Sequence, residues 1–128
     1  MANEVNVNSV RNIIGIIEQS SSPKSLLFAS SAAIYGEPNE IPIHELCSIS
    51  PISAYGEMKY EAEQAVSEAG NNFGTTSFRF FNVFGPRQDP TSPYSGVISI
   101  FANRLLEDKS IIIDGDGEQS RDFIYVTD

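Results

Sequence analysis

Ser25-Leu26-Leu27-Phe28-Ala29 runs without a break into Ser30-Ser31-Ala32-Ala33-Ile34-Tyr35-Gly36. A short apolar run after a turn reads as a strand buried on both faces, the pattern of a parallel sheet. Small hydroxyl residues at the C-terminal end of such a strand stand where open α/β sheets place ligands. The same hydroxyls also suit ordinary strand-end hydrogen bonding to backbone, and the residues leave both readings open. Upstream, Asn8 to Gln19 reads as a helix. Val7, Val10, Ile13, Ile14 and Ile17 recur at three- and four-residue spacing and make one apolar face. Ser20-Ser21-Ser22-Pro23 ends it. Helix, turn and buried strand form half of a βαβ unit.

Downstream, Glu37 to Pro51 has three prolines and no clear periodicity, which predicts a loop with a short extended piece near Ile41 to Ile43. Ser53 to Ala69 is the clearest helix, with Ser53 placed to cap it and Gly70 to end it. Ala54, Met58, Ala62, Ala65, Val66 and Ala69 give an apolar stripe, and Glu57, Glu61, Glu63 and Glu68 read as a solvated face. Gly56 is costly inside a helix; a close approach by ligand or backbone explains it, and so does simple tolerance. Thr75 to Phe84 reads as a second strand, broken by Gly85-Pro86. Arg87 to Ser95 is turn-rich. Gly96 to Glu107 reads as a helix with Val97, Ile98, Ile100, Phe101, Leu105 and Leu106 mostly inward. A short strand at Ser110 to Asp114, a turn at Gly115-Asp116-Gly117-Glu118 and an extended run from Arg121 to Val126 complete the chain. It has no internal repeat.

The 128 residues suffice for one compact domain or part of a larger one. Apolar residues at 41% and charged residues at 20% suit a globular chain. A net charge of -9 argues against nucleic acid or an anionic membrane as the main partner. Cys47 is the single cysteine, so neither a disulfide framework nor a cysteine-rich metal site is expected. His44, the single histidine, lies in a polar, Pro-rich stretch and reads as a loop residue, so no metal is expected. With no membrane-length apolar run and no signal-like N-terminus, the expected location is cytoplasmic.

Chemistry concentrates at Ser53-Ala54-Tyr55-Gly56-Glu57-Met58-Lys59. Four-residue spacing puts Tyr55 and Lys59 on one helix face, one turn apart. An ammonium beside a phenol favours the phenolate, lowering it from its ordinary value near ~10. A Tyr tuned that way exchanges protons with a sugar or alcohol hydroxyl near neutral pH. The pair by itself is equally compatible with an ordinary amphipathic helix surface.

Five segments in order carry a resemblance. They are Asn6-Val7-Asn8-Ser9, Ser30 to Gly36, Tyr55 to Lys59, Arg79-Phe80-Phe81-Asn82-Val83-Phe84-Gly85-Pro86-Arg87-Gln88, and Gly115 to Phe123. With them the chain resembles the extended short-chain dehydrogenases, NAD-dependent nucleotide-sugar epimerases and dehydratases, and most of all the UDP-hexose and UDP-N-acetylhexosamine 4-epimerases. The resemblance implies an α/β fold: a partial Rossmann-like, doubly wound parallel sheet plus the start of a smaller substrate-binding region. It implies residues 1–84 as the C-terminal part of the NAD-binding domain and residues 85–128 as part of the nucleotide-sugar region. By the same resemblance Tyr55 exchanges the proton of the sugar 4-hydroxyl, Lys59 binds the nicotinamide ribose, and Ser31 shares the hydrogen bond to that hydroxyl. Asn6 and Phe81 match cofactor contacts, together with Ser31, Tyr55 and Lys59. Asn82 matches a contact to the substrate phosphates, and Arg121 the arginine that clamps the diphosphate. Gly96, Val97, Ile112 and Asp114 match positions around the uridine, and Gln88 a position near the hexose. Bland roles stand beside these: a surface ion pair of Arg121 with Asp122 or Glu118, a turn role for Asn82, a core role for Phe81.

The implied reaction is a transient oxidation at C4 with NAD, after which the keto-sugar turns and is reduced on its other face. Related dehydratases carry an Asp-Glu pair after the active-site hydroxyl, where this chain has Ala32 and Ala33, which favours epimerisation. Ser9 stands where the family usually has Gly. No Gly-rich pyrophosphate turn occurs in the sequence. The chain therefore reads as an internal fragment, expected to bind NAD weakly alone and to expose an open sheet face or edge. Reductase, dehydratase or decarboxylase chemistry on a nucleotide sugar is one alternative, and an inactive binding fragment is another. A UDP-sugar substrate and, for the full-length protein, a homodimer are the implied partners. The alanine stripe fits that dimer and equally fits packing within one chain.

Overall fold

The computed structural model describes residues 4–22, 25–92 and 95–128. Two compact units divide the chain, Met1–Phe80 and Phe81–Asp128.

The first unit is built on a βαβ crossover. Strand β1 (Ser25–Ser31) pairs in parallel with β2 (Gly74–Phe80), and helix α2 (Ala54–Ala69) connects them. Ahead of β1 stands helix α1 (Ser9–Glu18), entered through a π-helical turn at Glu4–Asn8. The helical path therefore begins before the expected Asn8. The expected stop at Ser20 to Pro23 includes Pro23, which lies outside the described residues. Helix α2 begins where Ser53 Oγ accepts the Gly56 N–H at 3.1 Å, and Glu57 in the first turn suits the positive end of the helix. Ile14 of α1 with Val66 and Ala69 of α2 forms the core, with Val10, Leu26, Phe28, Ala65 and Phe73 packed around it. Val7 and Ile34 are fully buried nearby. Ile13, expected inward, is 48% exposed.

Strand β1 corrects the expectation of burial on both faces. Exposure alternates along both strands: Leu26 and Phe28 face the helices, whereas Leu27 is 67% exposed. Period-two geometry sends neighbouring side chains to opposite sides, and α1 and α2 pack on one side only. Phe78 and Phe80 stack on each other at 5.9 Å on the open side. A 3₁₀ turn (Ala32–Tyr35) follows β1 directly, and Gly36 at φ +61° turns the chain into an irregular loop. A Cβ at Gly36 would lie 2.0 Å from the Ser50 carbonyl oxygen, so only glycine fits that turn. No extended piece forms at Ile41 to Ile43.

The second unit holds β3 (Asn82–Phe84), helix α3 (Val97–Leu106) and β4 (Phe123–Tyr125). Strands β3 and β4 pair in parallel, with Phe84 edge-on to Phe123 and Tyr125. The expected single strand from Thr75 to Phe84 is thus two strands in two sheets, interrupted at Phe81. Its apolar alternation fits either pairing, and only the partners distinguish them. Helix α3 matches the expected span, but none of its residues is buried, and Leu106 is 85% exposed. Ser110 to Asp114 is irregular rather than a strand, with Ile112 62% exposed. Its apolar run lacks the ladder partner a strand requires among the described residues. The turn-rich stretch from Arg87 includes Pro93 and Tyr94, which lie outside the described residues.

Candidate active site

In the first unit, the end of β1 and the start of α2 are brought together by backbone contact. A Cβ on Gly56 would stand 2.6 Å from the Ala33 carbonyl oxygen and 3.1 Å from Pro51 Cβ. Gly56 therefore serves a close approach of backbone to backbone, which decides between the two explanations its position allowed. This contact seats the first turn of α2, with Tyr55, against the turn that follows Ser31.

Ser31 ends β1, and its Oγ accepts the Ala33 N–H at 3.2 Å, capping the 3₁₀ turn. The strand-end hydrogen bond is thus present, with the hydroxyl proton still available to donate elsewhere. Lys59 Nζ donates to the Ala29 carbonyl at 2.9 Å, two residues before Ser31. The same ammonium lies 5.8 Å from the centre of the Tyr55 ring and 5.1 Å from that of Phe28. Burial holds the Lys59 ammonium below its ordinary value. Tyr55 itself is 45% exposed, so its ring is open to a ligand. Asn6 sits on the π-helical turn, which packs against α2. Ser31, Tyr55 and Lys59 therefore converge on one end of the β1–α2 layer.

Glu63 corrects the sequence reading. Expected on a solvated face, it is buried at 8% exposure. It accepts from Ser30 Oγ and from Arg79, whose Nη2 lies 2.6 Å and Nε 3.0 Å from Oε1. Arg79 Nη1 also donates to the Tyr35 hydroxyl at 2.6 Å and to the Glu45 carbonyl at 2.7 Å. Hydrogen bonding to Glu63 holds the guanidinium charged well above its ordinary range, with burial opposing. Two signals in the sequence point this way: an arginine amid strand residues needs a buried acceptor, and Glu63 continues the four-residue spacing of Tyr55 and Lys59. Of the other glutamates, Glu61 pairs with Arg11 at 2.9 Å on the surface, while Glu57 and Glu68 are exposed.

In the second unit, Asn82 Nδ2 donates to the Asp122 carbonyl at 2.8 Å, and its backbone N–H donates to the same oxygen at 3.2 Å. Asn82 is thereby fixed beside the residue that follows Arg121. Arg121 is exposed and donates from Nη1 to the Ser120 carbonyl at 2.8 Å. Gln88 and Gly96 come together, since a Cβ on Gly96 would lie 3.7 Å from Gln88 Nε2. Val97 opens α3 next to Gly96. Ile112 and Asp114 lie on the exposed stretch after α3, where the Asp114 carbonyl accepts from Gln119 Nε2 at 2.8 Å. Phe81 is half-buried between β2 and β3 in the chain. Among the described residues, no three His, Cys, Asp or Glu side chains converge to hold a metal, and no helix is long and apolar enough to cross a membrane.

Comparison with known proteins identifies the family and the fold. The model of the NAD dependent epimerase/dehydratase family matches residues 2–128, and the chain belongs to that family. A protein of Methanocaldococcus jannaschii is 40% identical over 127 residues, 98% of this chain and 41% of its own length. The UDP-N-acetylglucosamine 4-epimerase of Methanobrevibacter ruminantium, solved with UDP-N-acetylmuramic acid, superposes with a TM-score of 0.91 at 38% identity, covering 97% of this chain and 40% of that one. The UDP-glucose 4-epimerase of Thermotoga maritima, solved with UDP-glucose, also has a TM-score of 0.91 at 34% identity, covering 98% of this chain and 41% of that one. The fold is thus the Rossmann-like α/β fold of these epimerases, and the chain spans about two fifths of their length.

Proposed function

We propose that this chain carries the Ser-Tyr-Lys centre and part of the substrate site of an NAD-dependent nucleotide-sugar 4-epimerase. Its substrates would be UDP-hexoses or UDP-N-acetylhexosamines. The observation that carries the reading is the placement of Lys59. Its ammonium is pegged to the Ala29 carbonyl and stands beside the Tyr55 ring, at the strand end that bears Ser31.

The donor set suits NAD. One of the three Lys59 protons goes to Ala29, which leaves two for the hydroxyls of a ribose. When bound, NAD supplies the reversible uptake of a hydride. Tyr55 takes the proton of the sugar 4-hydroxyl and later returns it, while the Ser31 hydroxyl holds that oxygen in place. Lys59 keeps a positive charge beside the phenol, which favours the phenolate that accepts the sugar's proton and that re-forms when the proton is returned. Asn6 and Phe81 are assigned to the cofactor, and residues 1–84 to its domain. Asn82 and Arg121 are assigned to the diphosphate, where a planar cationic fork is suited to phosphate oxygens. Gly96, Val97, Ile112 and Asp114 take the uridine and Gln88 the hexose end, within residues 85–128. Ala32 and Ala33 place no acid or base beside Ser31, which supports epimerisation over dehydration.

The proposal extends to a homodimer in the cytoplasm. Exposed Ile13 and Ile16 on α1 support the dimer, and a single cysteine suits a reducing compartment. Product analysis of the full-length polypeptide with UDP-glucose and UDP-N-acetylglucosamine tests the reading. The expected result is the C4 epimer with no net change in NAD. Stoichiometric NADH formation or loss of water from the sugar would overturn it.

A further inference from the structure

Two pegs join α2 to β1 just before Ser31. Lys59 donates to the Ala29 carbonyl, and one helical turn later Glu63 accepts from the Ser30 hydroxyl. Successive helix turns thus grip successive strand residues, and Ser31 is the next in line. Ser30 pairs in register with Arg79 of β2, so both reach Glu63 from adjacent strands on the side that α2 covers. Arg79 extends the same cluster to the Tyr35 hydroxyl and stacks over the Tyr35 ring at 5.1 Å. One carboxylate therefore ties together β1, β2, α2 and the 3₁₀ turn. It lies one helical turn from Lys59 and binds the residue just before Ser31, two of the residues assigned to the chemistry. A buried ion pair of this kind gains little stability over apolar packing of equal volume, so its value lies in the geometry it imposes.

We infer that Glu63 and Arg79 are positioning residues. Their hub sets the register of α2 against the end of β1, and so the spacing of Tyr55 and Lys59 to Ser31. Its catalytic consequence rests on the 4-epimerase reading, but its structural consequence does not.

The test uses the full-length polypeptide with three variants and two readouts. Glu63→Gln keeps the size of the side chain and removes its charge. Glu63→Met with Arg79→Met removes both charges together, so no buried ion is left unpaired. Glu63→Asp with Arg79 intact is the conservative control. The first readout is steady-state epimerisation. Glu63→Gln and the double variant should lose about tenfold to a hundredfold in kcat, the usual cost of a small misplacement of reacting groups. KM for the UDP-sugar should stay within about twofold, because the contacts to the nucleotide are untouched. Glu63→Asp should recover part of the loss. The second readout needs no turnover: acetylation of Lys59 relative to exposed Lys109, followed by peptide mass spectrometry. Both charge-removing variants should raise that ratio about fivefold, the weight of one lost hydrogen bond to Ala29.

If Glu63→Gln fails to fold, the double variant decides. A folded double variant with wild-type kcat and an unchanged labelling ratio overturns the inference and leaves the pair a purely structural contact. A wild-type protein that labels as expected but does not epimerise UDP-sugars overturns the function, while the variants' labelling ratios still decide the hub.

Discussion

The two units of this chain hold their candidate site residues in different ways. In Met1–Phe80, Ser31, Tyr55 and Lys59 are placed by elements that pack tightly: a parallel strand pair, a capped helix and a backbone contact at Gly56. In Phe81–Asp128, α3 buries nothing, and residues 105–128 are exposed throughout. Asn82, Gln88, Gly96 and Arg121 are held there by a short strand pair and local hydrogen bonds. The difference teaches a division of labour. On the proposed reading, proton transfer, which tolerates little misplacement, falls to the tightly packed unit. On the same reading, the contacts proposed to a flexible, charged ligand fall where side chains remain open to meet it.

Activity is where the contrast should break most sharply. In the full-length polypeptide, Tyr55→Phe should cut turnover by about 10²–10⁴-fold, the range for a positioned general acid–base, with NAD binding retained on titration. Arg121→Ala should instead raise KM for the UDP-sugar, by about 1.5–3 kcal/mol in apparent binding, with a smaller effect on kcat. Equal loss of kcat from both variants would erase the distinction between the units.

Stability should follow burial. Ile34→Ala, at a fully buried site, should cost about 2–5 kcal/mol in chemical denaturation. Leu106→Ala, at 85% exposure, should cost no more than about 0.5 kcal/mol. Native-state hydrogen exchange gives the same contrast amide by amide, with β1 and α2 protected more than α3.

Gly56→Ala sharpens the comparison within the first unit. The added methyl would collide with the Ala33 carbonyl, a backbone atom that cannot swing away. We expect a loss of about 1–3 kcal/mol, and with it a displaced Tyr55 visible as a change in the Tyr ring signals by NMR. Gly96→Ala, with 3.7 Å to its nearest neighbour, should show no comparable collision.

The smallest effect is on pH. Burial lowers the Lys59 value in the folded state, so the unfolded chain binds more protons in the window between the lowered value and the ordinary one. The burial cost is fully present below that window and is relieved as pH rises through it. Stability should therefore gain a slight alkaline rise, which Lys59→Met removes in denaturation curves taken across that range.

Much of the candidate site is legible in the sequence. Tyr55 and Lys59 share a face because a helix repeats every 3.6 residues, and Ser53 announces the start of that helix. The strand that ends in small hydroxyl residues left ligand and backbone roles open, and Ser31 was singled out by the family resemblance. Glu63 was misread because its polarity fits a solvated helix face equally well. Arg79, a charge inside a strand, and the four-residue spacing from Lys59 to Glu63 are clues, but neither alone separates Glu63 from a solvated glutamate.

Local periodicity and capping determined the helices, the β1–α2–β2 order and the Tyr-Lys pair, because each depends on residues within a turn or two of one another. Tertiary structure alone decided that Glu63 is buried, since its partners Arg79 and Ser30 lie 16 and 33 residues away in the chain. It also decided that the apolar run from Thr75 to Phe84 splits between two sheets, and that Ser110 to Asp114 joins neither. A strand exists only through its partner, and the pairing partner is chosen by the folded chain rather than by the segment itself.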